Sequence, residues 1–201
     1  MSGPSKTHSM QGTFESYYEK TPPWDIGRPQ PEFVRLAESG EIRGEVLDAG
    51  CGTGEHALYL ARRGHSVCGV DAAKSAIKQA VAKARKERVK VAFSVADALD
   101  LHALGRTFDT VIDSGLFHVF NDEERARYVE SLAGVTSPGG TFFLLCFSEK
   151  ETREGPRRVT QQEIQDSFKS GWQLNYIREA NFETHIHPGG AKAWLASLTK
   201  L

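Results

Sequence analysis

The sequence predicts a single α/β domain: a doubly wound, mostly parallel sheet of seven strands, with an antiparallel edge strand and helices on both faces. Short apolar runs alternate with helical patterns along the chain, as in folds of this class. The first apolar run, Glu45–Ala49, is followed by glycines at alternate positions, Gly50, Gly52 and Gly54, before a helical pattern begins. A strand that leads through a glycine turn into a helix is the usual ligand site of an open α/β sheet.

The first half of the chain supplies four of the strands and three helices. The predicted strands are Glu45–Ala49, two runs that end at Asp71 and Val95, and Phe108–Asp113. The predicted helices are Pro31–Ser39, Glu55–Arg63 and a stretch that places Ala76, Ile77, Ala80, Val81 and Ala84 at helical spacing. Residues 1–9 are polar, and we expect them to be disordered.

The second half begins with a clear helix start. Asn121 and Glu124 have the spacing of a capping box, and Thr160 and Glu163 repeat it further on. Between these helices, Pro138-Gly139-Gly140 ends one unit before a buried strand. That strand is Thr141–Phe147, and the tail segments Trp172–Ile177, Phe182–Ile186 and Ala193–Leu198 predict two closing strands.

Composition limits the classes of partner. The 201 residues include 25 Lys and Arg against 26 Asp and Glu, so the net charge is −1 and provides no field for nucleic acid or an anionic membrane. Neither a membrane-span pattern nor the apolar region of a signal peptide is evident. The odd number of cysteines, three, favours reduced core thiols. We therefore expect a cytoplasmic monomer or weak homodimer that binds neither nucleic acid nor membrane.

The glycine turn does not by itself name a cofactor. Gly52-x-Gly54-x-x-Ala57 also fits the loose dinucleotide fingerprint, so an NAD(P)-dependent oxidoreductase stays open. Two acids at the ends of later strands favour another nucleoside, because Asp71 suits ribose hydroxyls and Asp97 suits the amino group of an adenine. Asp48 would repel a pyrophosphate but suits a ligand with an ammonium and a sulfonium group.

Taken in order, these motifs resemble those of class I S-adenosylmethionine-dependent methyltransferases, from about Glu45 to Phe147. The resemblance implies a Rossmann-like fold with S-adenosyl-L-methionine as cofactor. It also implies that Asp48 and Gly50 hold the methionine end, that Asp71 holds the ribose, and that Asp97 with Ala98 holds the adenine. Ser114 would lie near the amino group and the sulfonium. The neighbouring residues expected at the cofactor are Ala49, Gly52 and Ala72.

The segment Tyr17–Pro31 is rich in aromatic residues and proline. It resembles the N-terminal lid of small-molecule methyltransferases of the thiol, halide and thiopurine type, and of related actinobacterial enzymes that methylate heterocycles. The resemblance implies that Trp24 packs near the methionine portion and that Arg28 touches its carboxylate or orders the lid. Alternatively, Trp24 only pins the segment onto the sheet. We therefore divide the chain into a flexible N-terminus and lid, 1–30, and a methyltransferase domain, 31–201.

The loop after the fourth strand indicates the acceptor. It reads Asp113-Ser114-Gly115-Leu116-Phe117-His118, without the Asn/Asp-Pro-Pro-aromatic run of enzymes that methylate bases, so a small molecule is favoured. His118 is the candidate general base, which could titrate near neutrality, although a buried histidine with a backbone hydrogen bond is the alternative. Tyr17, Tyr18, Phe117 and His118 are the candidate substrate contacts. No metal site is predicted, because His185 and His187 have no evident third ligand.

These observations predict methyl transfer to an oxygen, sulfur or nitrogen nucleophile of a small aromatic or heterocyclic molecule. A thiol or halide acceptor is the alternative within the family. An NAD(P)-dependent oxidoreductase and a non-catalytic binding domain are the alternatives from other classes. Alignment of nucleophile, methyl and sulfur in a dry pocket would supply most of the rate. A thiolate or phenolate acceptor would need almost no base.

Overall fold

The computed structural model describes residues 15–18 and 20–201. The polar residues 1–9 that we expected to be disordered lie outside this part of the chain. Seven strands form one sheet in the order β3-β2-β1-β4-β5-β7-β6. The strands are β1 (Glu45–Ala49), β2 (Ser66–Asp71), β3 (Ala92–Val95), β4 (Phe108–Ser114), β5 (Thr136–Phe147), β6 (Trp172–Thr184) and β7 (His187–Lys200). The helices are α1 (Pro31–Glu38), α2 (Glu55–Arg62), α3 (Lys74–Glu87), α4 (Asp122–Val135) and α5 (Gln161–Ser167), with short 3-10 turns at Ala98–Leu104 and Phe117–Val119.

The predicted fold class is confirmed. β1 pairs in parallel with both β2 and β4, and β7 pairs antiparallel with β5 and β6 at one side of the sheet. Both predicted capping boxes are present, with Asn121 and Glu124 at the start of α4 and Thr160 and Glu163 at the start of α5. Each box satisfies backbone N–H groups that a helix start leaves without partners.

Three strands are longer than the apolar runs predicted. β5 begins at Thr136 rather than Thr141 and includes the Pro-Gly-Gly segment, where its pairing with β4 shifts register between Phe108 and Thr110. β6 and β7 extend their pairing to Thr184 and His187, with two further irregularities. Polar residues continue these strands because the length of a strand depends on its backbone hydrogen bonds with neighbouring strands. The apolar pattern of the sequence does not reveal these bonds.

The core consists of two apolar layers, one on each face of the sheet. Alternate residues of a strand enter opposite layers: Leu47 and Val111 belong to one, Val46 and Ile112 to the other. Cys51, Cys68 and Cys146 are buried and free, as expected of core thiols. None of the helices in the described ranges is long and apolar enough to cross a membrane. Because β1, β2, β3 and β4 all run parallel, their carboxyl ends meet at one edge, where the polar side chains of the next section lie.

Candidate active site

The glycine turn joins the ends of β1 and β2. Gly50 and Gly52 have φ values of +72° and +53°, which side chains with a Cβ rarely adopt. The Cys51 N–H donates to the Val70 carbonyl (2.8 Å), and the Gly52 N–H donates to Asp71 Oδ2 (2.9 Å). These two bonds fix the turn against the second strand.

Asp48 is the most unusual side chain of the turn. It is 1% exposed, and within the described chain its Oδ2 atom is buried without a hydrogen-bond partner. Burial, with a smaller contribution from the negative charges of Asp71 and Asp113, raises the pKa of Asp48 to about 8. A buried carboxylate oxygen without a donor fits a cationic group of a ligand, such as the ammonium and sulfonium expected here.

Asp71 and Asp97 follow at the ends of β2 and β3. The Asp71 carboxylate is oriented by two backbone donors, Gly52 N–H on Oδ2 and Ala73 N–H on Oδ1 (2.8 Å). Burial raises the pKa of Asp71 above its usual range. Asp97 is exposed, and its Oδ1 accepts from the Leu99 N–H (2.9 Å) to cap a 3-10 turn. Ala72 and Ala98 stand beside the two acids, half-buried.

The loop that follows β4 completes the edge of the site. In the register of the sheet, Asp113 lies opposite Ala49, so Ser114 continues next to the glycine turn. The Gly115 N–H donates to the Leu145 carbonyl of β5 (2.9 Å). Leu116 packs closely against the glycine turn, as a Cβ placed on Gly50 would be only 3.0 Å from Leu116 Cδ2.

The described part of the predicted lid covers the turn from the other side. Tyr18 is buried, and its hydroxyl oxygen would be 2.8 Å from a Cβ on Gly52. Trp24 packs edge-on against both Tyr17 (5.1 Å between ring centroids) and Tyr18 (6.5 Å). The segment therefore lies beside the site in which the cofactor is expected.

The family resemblance implied that Arg28 touches the carboxylate of the cofactor or orders the lid, and in the structure Arg28 pairs with another residue of the protein. Its guanidinium pairs with Glu183 at the end of β6 (2.5 Å) and remains 57% exposed. Gln30 exchanges two hydrogen bonds with the backbone of the same Glu183. These contacts favour the second of the two expected roles, in which Arg28 orders the lid.

His118 does not have the properties of a general base. Its Nδ1 accepts a hydrogen bond from the Phe147 N–H (3.1 Å), and burial lowers its pKa to about 3, with smaller effects from Arg158 and Arg125. The expectation that it titrates near neutrality is therefore wrong. In the neutral ring the proton is then on Nε2, which makes His118 a donor at that atom.

Phe117 is also placed differently from the prediction. Its ring is fully buried, stacked on Phe168 (5.9 Å) and covered by the Arg125 guanidinium 4.4 Å from its centroid. It is thus a core residue behind the loop, away from any substrate surface. Tyr17 is 47% exposed and stays available for contact.

The two histidines near the end of the sheet are bound to protein groups. His185 Nε2 bonds to the Asp25 carbonyl, and the two ring nitrogens of His187 bond to Thr184 and to the Glu154 carbonyl. In residues 15–18 and 20–201, no group of three or more potential ligands could hold a metal ion.

Comparison with known proteins matches this geometry to a family. A methyltransferase domain model matches residues 46–140. The 2-heptyl-1-hydroxyquinolin-4(1H)-one methyltransferase of Mycobacteroides abscessus is 36% identical over an alignment that covers 92% of this chain and 88% of that protein. The chain belongs to the class I S-adenosylmethionine-dependent methyltransferases.

Other similar proteins agree with this assignment. The probable thiol methyltransferase 2 of Arabidopsis thaliana is 27% identical, with 74% of this chain and 67% of that protein covered. A solved structure from a study of the conversion of a disulfide bond into a thioacetal group during echinomycin biosynthesis has a TM-score of 0.88 at 35% identity, covering 95% and 93% of the two chains. Magnesium protoporphyrin IX methyltransferase from Synechocystis, with bound cofactor, shares the fold with a TM-score of 0.74 at 18% identity, covering 98% of this chain and all of that one.

The methyltransferase thus uses S-adenosyl-L-methionine and acts on a small molecule. The oxidoreductase and non-catalytic alternatives are not supported by these relatives. Sequence reasoning missed Asp25, which accepts from the Thr53 hydroxyl (2.7 Å), and the role of Asp113, which holds the loop after β4. Asp25 gives no local signal, because Thr53 lies 28 residues further along the chain. The two backbone bonds of Asp113 are local and only the Tyr128 hydroxyl comes from a later helix, so the Asp113 turn could have been recognised.

Proposed function

We propose that this methyltransferase transfers the methyl group to an oxygen, sulfur or nitrogen nucleophile on a flat aromatic or heterocyclic acceptor. The observation that carries this proposal is a group of aromatic rings at the carboxyl ends of β4 and β5. His118 lies 5.0 Å from Phe147 and 6.0 Å from Phe182, and Phe147 lies 5.3 Å from Phe182, all measured between ring centroids. Such rings favour offset or edge-to-face contact with another flat ring.

The group adjoins the loop that faces the cofactor turn. A Cβ on Gly115 would come within 3.0 Å of the Phe182 ring and 3.3 Å of His118 Cε1. Gly115 therefore packs directly against these two rings, with no space for a side chain between them. The three residues are only 3–5% exposed, so they would form the floor of the acceptor site, and an acceptor above them would have its nucleophile close to Ser114, where the family resemblance places the sulfonium.

The relatives support the same acceptor class. The hydroxyquinolinone methyltransferase covers almost the whole chain at 36% identity, whereas the probable thiol methyltransferase aligns over less of it at 27%. An aromatic ring that carries a hydroxyl or thiol group would be an acceptor compatible with both of these relatives. A simple thiol or a halide is the second candidate.

The bound cofactor supplies a methyl group on a sulfonium, which is already activated for displacement. Asp48 and Asp71 would bind and orient its cationic end and its ribose. His118, neutral and protonated at Nε2, would donate a hydrogen bond to the acceptor rather than remove its proton. This arrangement suits an acceptor that ionises by itself, such as a phenol, an N-hydroxy heterocycle or a thiol.

The described N-terminal residues, 15–18 and 20–30, would act as the lid of this site, within the segment 1–30 that the sequence predicts, and 31–201 would be the catalytic domain. Tyr18 and Trp24 would cover the methionine end, and a tryptophan face is a favourable neighbour for a sulfonium. Tyr17, exposed beside Trp24, would contact the acceptor.

A panel of acceptors tests the proposal. Hydroxyquinolines, N-hydroxyquinolones, phenols, small thiols and iodide are each incubated with cofactor, with naphthalene, a flat ring system without a nucleophilic atom, as the negative control. We expect a product about 14 Da heavier for rings that bear an ionisable group, with a much lower kcat/KM for small thiols. The Phe182→Leu variant should lower kcat/KM for the flat acceptor roughly tenfold, as expected for loss of an aromatic contact, and leave small thiols within about twofold. Turnover of thiols or iodide alone would contradict the aromatic acceptor.

A further inference from the structure

Three hydrogen bonds converge on the buried carboxylate of Asp113, the residue before Ser114. Oδ1 accepts from the Leu116 N–H (2.7 Å), and Oδ2 accepts from the Phe117 N–H (3.0 Å) and from the Tyr128 hydroxyl of α4 (3.0 Å). Asp113 and Tyr128 are fully buried. We call these two side chains, with their three bonds, the Asp113–Tyr128 clamp.

The clamp fixes the segment Ser114–His118, which would lie between the cofactor and the acceptor in the proposed function. Both ends of the segment are tied to β5, through the Gly115 N–H on the Leu145 carbonyl and through Phe147 N–H on His118. Its middle is held by the clamp, which bonds the N–H groups of Leu116 and Phe117, and by the packing of the Phe117 ring between Phe168 and Arg125. Leu116, in that middle, packs on Gly50 of the cofactor turn at a hypothetical Cβ distance of 3.0 Å. A shift of Leu116 would therefore reach the methionine end of the site.

Fold stability alone does not account for a carboxylate in this position. Burial raises the pKa of Asp113 to about 7, so ionisation carries a desolvation cost that the three donors only partly offset. The titratable groups around it are Asp48 of β1, Tyr128 of α4 and Cys146 of β5, and burial raises the pKa of the Tyr128 hydroxyl and of the Cys146 thiol, so both stay neutral. Charge-assisted bonds are shorter and more directional than neutral ones, which suits a part that must hold its geometry.

We propose that Asp113 and Tyr128 are positioning residues for methyl transfer, which set the loop Ser114–His118 so that the cofactor and the acceptor keep their alignment. They contact neither reactant and act through Leu116 on the cofactor side and through Ser114 and His118 on the acceptor side. The cofactor half rests on the family assignment, and only the acceptor half rests on the proposed function.

The test uses the full chain with Tyr128→Phe, which deletes one donor and keeps the ring in the core. At a temperature where circular dichroism shows the variant fully folded, we expect kcat at saturating substrates to fall about tenfold, KM for the acceptor to change less than threefold, and the affinity for S-adenosylhomocysteine to fall three- to tenfold. Tyr176→Phe, which removes a hydroxyl bonded to Glu41 on the far side of the sheet, is the matched control and should leave all three unchanged.

A double-mutant cycle identifies the route of the effect. Leu116→Ala should weaken S-adenosylhomocysteine by a similar factor, and the double variant Tyr128→Phe/Leu116→Ala should be no weaker than the worse single variant, because both changes remove the same contact. If Tyr128→Phe lowers only the melting temperature, or if the two effects on affinity multiply, the positioning role is wrong. Because cofactor affinity is measured without acceptor, this result stays separable from a failure to find the acceptor.

Discussion

The Thr53 hydroxyl donates a hydrogen bond to Asp25 Oδ2 over 2.7 Å and thereby ties the N-terminal segment to the glycine turn, at which we propose that the cofactor binds. Lys83 donates to the same hydroxyl (2.6 Å) and pairs with Glu55, so this bond lies in a small charged network. On its other side, the backbone carbonyl of Asp25 contacts His185 Nε2 (2.9 Å). The N-terminal segment is therefore held through both the carboxylate and the backbone carbonyl of Asp25.

Replacing Asp25 with Ala should loosen this attachment. A hydrogen bond to a charged group contributes about 1.5–3 kcal/mol, and we expect roughly tenfold weaker binding of S-adenosylhomocysteine by calorimetry. The control is Asp166→Ala, a change at an exposed position of α5 that should leave affinity as it is. An unchanged affinity in Asp25→Ala together with a lower Tm would mean that the segment only stabilises the fold.

Arg28→Ala should leave cofactor affinity within about twofold of the parent, because the guanidinium pairs with Glu183 and is more than half exposed. Exposed ion pairs contribute about 0–1 kcal/mol, so stability should change little. The affinity is measured by the same calorimetric titration. A tenfold loss would restore the direct contact with the cofactor carboxylate that the family resemblance implies.

Asp48→Asn should stabilise the ligand-free protein and weaken the cofactor. Because the folded-state pKa is raised to about 8, the native protein holds a proton that the unfolded chain releases above about pH 4, and stability is lost as pH rises through that window. The Tm advantage of the variant should therefore grow between pH 5 and 8 and then level off. A gain of about 1–2 kcal/mol corresponds to about 2–8 °C.

Thermal scans at several pH values, with Asp166→Asn as the control, measure this gain. The same variant should bind S-adenosylmethionine at least tenfold more weakly, since it lacks the charge that offsets the cation. A Tm advantage that shrinks with rising pH would show that Asp48 is ionised and stabilising in the native state.

His118→Gln should not change the shape of the pH profile of kcat between pH 5 and 9. Burial lowers the pKa of His118 to about 3, so its ring stays neutral over this range. His118→Ala should cost about 1–3 kcal/mol of stability, because the Phe147 N–H loses its buried acceptor. Steady-state rates on the folded variants decide the point. Loss of an acid limb near pH 6–7 in His118→Gln would make the residue a base after all.

Much of the fold could be predicted because the local signals agree with the global arrangement. The glycine turn, the two capping boxes and the apolar strands each depend on neighbours in sequence, and β1 matches its predicted bounds. The full lengths of β6 and β7 could not be predicted, because polar, proline and glycine residues such as Asn181, Pro188 and Gly189 give no strand signal on their own.

The candidate site also contains residues that the sequence could locate and residues whose surroundings it could not predict. Asp48, Asp71 and Asp97 could be found because each lies within two residues of the carboxyl end of a strand, which fixes its place at one edge of the sheet. The environments of Phe117 and His118 could not, because Phe168 and Phe147, which bury them, come from much later segments. Arg28 and Glu183 likewise meet only through the tertiary fold.

A calorimetric titration with S-adenosylhomocysteine tests most directly whether the carboxylates at the strand ends hold the cofactor. We expect one molecule to bind per chain, Asp71→Asn to bind at least tenfold more weakly through loss of charge-assisted bonds to the ribose, and NAD to give no heat. Absence of binding by the folded parent, or equal affinity in Asp71→Asn, would contradict the account.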